Sequence, residues 1–307
     1  MNRHLCLEVL STSSGEGKSL LLYSVIARAI LPPSTSGIPL QGQNRAVVYF
    51  DADGNFSIAR FVKVVIAHVA ACAGRTNKVI SGDLETVVQD MIETSLQHLH
   101  VFLPQTIDSL ISSIECLTEY LMDKSRHLSM HRSMHSIMLD SASAFYWTDR
   151  HETDLANVPD TFEEATQRRG VRAISAYPAL RSALTRASRQ LQCPVIYTAT
   201  ELQPKHLQTT NRSLPSSLPK SWHTFPDIRL LVQKRPVRPF PIATSAIEAA
   251  RDANDRNSAV VNAPFDVVLN QEGKEGWNPE IRDQIARTSR GRFVMRISED
   301  KVEFDEH

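Results

Sequence analysis

The chain has 307 residues, enough for one large domain or two small ones with a sizeable core. Hydrophobic residues at 42% and charged residues at 22% exclude a disordered or fibrous chain, and 34 basic against 34 acidic residues leave total charge silent on a polyanionic partner. The cysteines (Cys6, Cys72, Cys116, Cys193) form no C-x-x-C pair and read as small buried hydrophobes of a reducing compartment. The apolar stretch within Met1 to Leu10 is too short for a signal peptide. The longest apolar run, Leu20 to Leu31, carries Arg28 and falls short of the ~20 residues of a membrane span, so a cytosolic or nuclear protein without membrane contact is expected.

In chain order, Leu5 to Leu10 reads as a strand and Lys18 to Leu31 as a helix stopped by Pro32-Pro33. Ala46 to Phe50 is a continuous apolar run, as expected of a strand buried on both faces of a parallel sheet. Amphipathic helices follow over Ile58 to Cys72 and Leu84 to Leu96, then a strand over His100 to Leu103 and a helix over Ile107 to Met122. Ser136 to Leu139 is a strand ending in Asp140; a helix spans Pro178 to Leu191, with Pro178 suited to its first turn. Pro194 to Thr198, Ile228 to Gln233, Phe293 to Ile297 and Val302 to Phe304 complete the strands. Strands alternating with helices predict an α/β fold, a mostly parallel sheet flanked by helices on both faces. Gln203 to Phe225 reads as a mobile loop, and 243–290 as a flexible polar insertion in a single domain whose core is 5–242 and 291–305.

The first strand runs into Thr12-Ser13-Ser14-Gly15-Glu16-Gly17-Lys18-Ser19 and an apolar helix, the strand–loop–helix context of a Walker A motif. In that motif the backbone N–H groups of Ser14, Gly15, Glu16, Gly17, Lys18 and Ser19 face phosphate, Lys18 bridges phosphate oxygens and Ser19 ligates Mg²⁺. Thr12 stands where the pattern has its first glycine. About 120 residues on, Ser136 to Asp140 has the Walker B form, its carboxylate aimed at Mg²⁺ or a water on it. Phe50-Asp51-Ala52-Asp53-Gly54 ends another strand. A carboxylate there either polarises an attacking water or caps the following helix, and the residues alone leave both open.

The run from Asp140 to Arg150, D-S-A-S-A-F-Y-W-T-D-R, resembles the eukaryotic Rad recombinase family, relatives of bacterial RecA. Phe50 to Phe56 and Ala29 to Pro32 are similar to the same family, and the likeness covers Leu5 to Lys234 and, weakly, Phe293 to Phe304. The resemblance implies a RecA-like P-loop core that binds ATP and Mg²⁺ in the nucleus. Its role would lie in homologous-recombination repair of double-strand breaks, within a complex of recombinase paralogues that assists filament assembly on single-stranded or branched DNA. It implies a D-type Rad paralogue as heterodimer partner, with further paralogue subunits. The chain opens almost at the P-loop strand, so the family's N-terminal helical DNA-binding domain is expected to be missing.

Three departures bear on activity. The family's catalytic glutamate corresponds to Asp53, a shorter candidate base. Its γ-phosphate-sensing glutamine corresponds to Thr200 or Glu201, and Thr12 alters the loop entry. Together they favour ATP binding, with at most a weak DNA-dependent ATPase, over a DNA-stimulated strand-exchange motor.

From Leu202 to Ile247 the chain has seven basic residues (Lys205, Arg212, Lys220, Arg229, Lys234, Arg235, Arg238) and one acid, Asp227. A locally positive loop suits a phosphate backbone, with Lys205, Arg212 and Lys220 as candidate DNA contacts and Trp222 as a base-stacking candidate; the plain alternative is a solvated loop. His127, His131 and His135 recur every four residues but run into a strand, and read as a solvated connector rather than metal ligands. Tyr146 and Trp147, just beyond a core strand, read as packing residues.

Overall fold

The computed structural model describes residues 5–156, 175–202, 214, 216–241, 243–272, 279–287, 291–298 and 302–305. In chain order the strands are β1 (Cys6–Ser11), β2 (Ser34–Thr35), β3 (Ile38–Pro39), β4 (Ala46–Asp51), β5 (Leu99–Phe102), β6 (Met134–Asp140), β7 (Val195–Thr200), β8 (Ile228–Lys234), β9 (Phe265–Leu269), β10 (Arg292–Ile297) and β11 (Val302–Asp305). Nine of them form one sheet in the order β11-β10-β9-β8-β1-β7-β6-β4-β5, while β2 and β3 form a separate small hairpin. The six strands from β8 to β5 are mutually parallel, and β9, β10 and β11 continue the sheet antiparallel. The protein is thus α/β, with a large, mostly parallel sheet flanked by helices.

Strand periodicity sorts the side chains onto two faces. One face carries Val9, Val47, Tyr49, Met138, Ile196 and Val232 into a core shared with α1 (Lys18–Ile30), α2 (Ile58–Arg75) and α3 (Asp83–Leu96). The other sends Leu10, Val48, Phe50, Leu139, Tyr197 and Leu231 against α4 (Ile107–Glu115), α5 (Leu117–Met122) and α7 (Tyr177–Leu191). The starts of α2 and α4 are fixed by their caps: Ser57 accepts from the Arg60 amide, and Thr106 with Ser109 forms a capping box. The helix expected over Ile107 to Met122 divides at Cys116, whose N–H bonds to both Ser112 and Ile114 and tightens the turn.

One expectation about the elements is corrected. The polar stretch 243–290 contributes β9 to the sheet, because Phe265 and Val267 are buried in the same core as Val232 and Met295. Around it stand α8 (Ala246–Arg251), α9 (Ala253–Val261) and α10 (Pro279–Arg287). The segment after Asp140 forms a further helix, α6 (Tyr146–Ala156).

Glu8, which interrupts the first apolar stretch, lies at the sheet centre as half of a buried ion pair. It is opposite Arg229 in the β1–β8 register, with Nε 3.1 Å from Oε2 and side-chain exposures of 3% and 0%. Tyr197 and Ser216 donate to its other oxygen. Burial raises the Glu8 pKa and Arg229 opposes the rise.

Candidate nucleotide site

Between β1 and α1 the chain turns on Gly15 and Gly17, both left-handed, at φ 78° and 82°. A Cβ on Gly17 would stand 2.7 Å from Ile297 Cδ1, a side-chain tip that would have to shift, and its φ is what favours glycine there. No side chain caps α1, which leaves its first-turn amides pointing out of the helix with the positive end of its dipole. At the loop entry the Glu16 carboxylate accepts from the Thr12 amide (3.2 Å), the Thr12 hydroxyl (3.0 Å) and the Ser13 hydroxyl (2.8 Å). Thr12 is therefore held by Glu16 twice, and glycine at the same position would keep the amide bond and lose the hydroxyl one.

Lys18 is buried, and its Nζ donates to Ser11 Oγ at 2.5 Å and Thr200 Oγ1 at 3.0 Å. Burial lowers its pKa, against the pull of Asp140, Glu16 and Asp53. Asp140, also buried, accepts from Tyr49 Oη at 2.7 Å and from Thr198 Oγ1. Ser11, Asp140, Thr198 and Thr200 share the α1 side of the sheet by strand alternation, at the C-terminal ends of β1, β6 and β7.

The two carboxylates after β4 separate. Asp51 is buried and accepts from the amides of Asn55 (3.0 Å) and Phe56 (2.9 Å), closing the turn before α2. Asp53 is exposed at the cleft and accepts from Ser141 Oγ at 3.3 Å. Crowding by the cleft wall and then the Asp140 charge push its pKa upward, while Ser141 and Lys18 pull it down. The chain of contacts continues from Ser141 to Ser143 (3.0 Å) and from Ser143 to the Thr200 amide (3.1 Å). The sequence reading passed over Ser141, Ser143, Ser11, Tyr49 and Thr198; the D-S-A-S run was the available signal for the first two. Thr200, not Glu201, meets Lys18: Glu201 turns to the other face, where Ser217 donates to its carboxylate.

Of these groups, Glu16, Lys18, Asp53, Asp140 and Thr200 line a cleft of about 350 Å³ that runs from Asp53 and Asp140 across the loop to Lys234, Phe265 and Ile297. Its volume falls in the range of small-molecule sites. Among the described residues it has three carboxylates, Glu16, Asp53 and Asp140, and three cations, Lys18, Arg60 and Lys234.

The basic loop divides on inspection. Lys205 and Arg212 lie outside the described residues. Lys220 is exposed on a short 3₁₀ turn, Lys220–Trp222, and Arg238 is exposed. Arg229 is the buried partner of Glu8, Lys234 faces the cleft, and Arg235 pairs with Asp266 at 2.8 Å. Trp222 is no stacking platform: it is fully buried, donates to the Tyr177 carbonyl at 3.0 Å and packs on Tyr177, Tyr197 and Phe225. Conversely, Trp147, expected to pack inside, is 57% exposed on α6 beside Arg150. Among the described residues no group of three or more histidine, cysteine, aspartate or glutamate side chains is placed to hold a metal ion. His127 and His131 instead pack edge-on against His100 and His98.

No protein-family model matches the chain. The class that fold and cleft define is an α/β protein whose candidate site lies at the C-terminal ends of parallel strands, an arrangement shared by Rossmann and P-loop-like folds. No helix among the described residues is long and apolar enough to cross a membrane.

Proposed function

We propose that the cleft binds Mg·ATP and that the chain is a RecA-like ATP-binding paralogue of the eukaryotic Rad recombinase family. The observation that carries the first part is convergence. Thr200 and Asp140 approach one cleft from two strand ends, Asp53 from the segment after a third strand and Lys18 from the start of α1, an uncapped helix entered through two left-handed glycines. The site suits a polyphosphate chemically. Outward amides from Ser14 to Ser19 cradle it, Lys18 supplies its cation, and Ser19 with Asp140 takes the Mg²⁺. A single Asp with a hydroxyl suffices, because Mg²⁺ in such sites keeps water and phosphate oxygens as its remaining ligands. Bound Mg²⁺ would neutralise charge developing on the terminal phosphate. Asp53 faces the cleft as the candidate base, one methylene shorter than glutamate and tied to Ser141, which favours binding over rapid turnover.

The biological role rests on the D-S-A-S-A-F-Y-W-T-D-R resemblance. The protein acts in the nucleus in homologous-recombination repair of double-strand breaks, as subunit of a paralogue complex that assists filament assembly on single-stranded or branched DNA. A D-type Rad paralogue is its heterodimer partner. The outer edge of β5, which pairs with no strand among those described, is the kind of edge that an added strand from a partner takes.

The test is Lys18→Ala, which removes the cation facing the terminal phosphates and should abolish binding of a fluorescent ATP analogue. Equal affinity of variant and wild type would sink the nucleotide reading.

A further inference from the structure

Lys234 was counted with the basic loop, yet it ends β8 on the same face of the sheet that gives Thr200 and Asp140 to the cleft. Its cross-strand neighbour is Phe265, and its ammonium stands 5.3 Å from the centre of that ring. The ring holds the lysine stem against the wall and leaves the charge turned to the cleft, with no carboxylate within ion-pair distance among the described residues. The opposite wall holds Asp53 and Asp140, so a ligand between them meets acid and Lys18 on one side and Lys234 on an apolar background of Phe265 and Ile297 on the other.

The need for a second cation follows from Glu16. Its carboxylate sits in the phosphate-facing loop, tied there by Thr12 and Ser13, and sets a negative charge where a polyphosphate would lie. Without Lys234 the described wall would hold three carboxylates and only Lys18 and Arg60. We propose that Lys234 is a second nucleotide-binding cation, which contacts the phosphate chain from the β8 side and offsets the carboxylate of Glu16. This rests on the reading of the cleft as an ATP site.

Lys234→Met keeps the stem that covers Phe265 and removes the charge. It should weaken binding of a fluorescent ATP analogue roughly tenfold, the effect of losing one charge-assisted contact, with an unchanged unfolding midpoint. Lys234→Arg should stay near wild type, and Glu16→Gln should recover part of the loss in the Lys234→Met background. Wild-type affinity in Lys234→Met, alongside lost binding in Lys18→Ala, would overturn the role of Lys234 while the ATP site stands. A further loss on adding Glu16→Gln would overturn the offset. Unchanged binding in Lys18→Ala would overturn the site, and this proposal with it.

Discussion

At the scale of single residues, Asp53 shows how a side chain one methylene short changes what a site does. It stands after the end of β4, takes one long hydrogen bond from Ser141, and has its charge disfavoured by the cleft wall and Asp140. A base must reach within about 3 Å of the water it polarises, geometry first and basicity second. Asp51, two residues earlier, is already committed to two backbone amides and cannot substitute. If reach limits turnover, Asp53→Glu should raise ATP hydrolysis in the presence of DNA and partner, by about 10²-fold, the lower end of what a positioned base contributes. A colorimetric phosphate-release assay on the complex reads this. No change, or a fall, removes Asp53 from the role of defective base.

At the scale of elements, the edge strand β5 is held by imidazoles. His98 and His100 both reach Ser129 Oγ at 2.9 Å, His100 also meets Tyr120 Oη at 3.0 Å, and His127 and His131 pack edge-on against them. The charges facing this cluster are Arg132, Arg126 over the Tyr120 ring, and Asp123 beside His127. Burial, then the neighbouring cations, bring His98 and His100 down from 6.5 to about 4. Between those values the unfolded chain binds protons that the folded chain refuses. Stability from this source is therefore whole above 6.5 and is lost as pH falls toward 4. His98→Gln with His100→Gln, neutral and able to bond Ser129, should flatten the fall of Tm across that window; His68 and His135, also lowered, preserve part of it. An identical Tm–pH profile in wild type and double variant rejects the cluster as the source. None of this was legible from the i, i+4 spacing of His127, His131 and His135, because the partners are His98, in the turn before β5, and His100 on it. What was legible were elements whose pattern is continuous: Ala46 to Phe50 and Ser136 to Leu139 sit close to the bounds of β4 and β6. The strand β9, Phe-Asp-Val-Val-Leu, is itself apolar and was hidden because a five-residue run is lost when the stretch 243–290 is judged by its overall polarity. Lys234 was hidden for a related reason, since charge counted along the sequence ignores the alternation of β8.

At the scale of the whole molecule, the question is where a DNA backbone would run. Seven basic residues between Leu202 and Ile247 make one patch only in sequence. Folding buries Arg229 against Glu8, commits Arg235 to Asp266 and turns Lys234 to the cleft, which leaves Lys220 and Arg238 exposed among the described residues, with Lys205 and Arg212 outside them. Trp222 leaves the set as well, since its burial beneath Tyr177 and Phe225 makes its loss a matter of folding. Binding without a stacking platform is electrostatic, and its signature is the salt slope. Replacing Lys205, Arg212 and Lys220 by Ala should weaken single-stranded DNA binding and lower the slope of log affinity against log salt by roughly 2, at ~0.7 per phosphate. Affinity for ATP should stay as it was, because the contacts of Lys18 with Ser11 and Thr200 do not involve these side chains. The titration is made on the partner complex, with Arg229→Ala excluded because it strands Glu8 in the core. An unchanged slope would assign the DNA to the partner subunit and leave the loop a solvated connector.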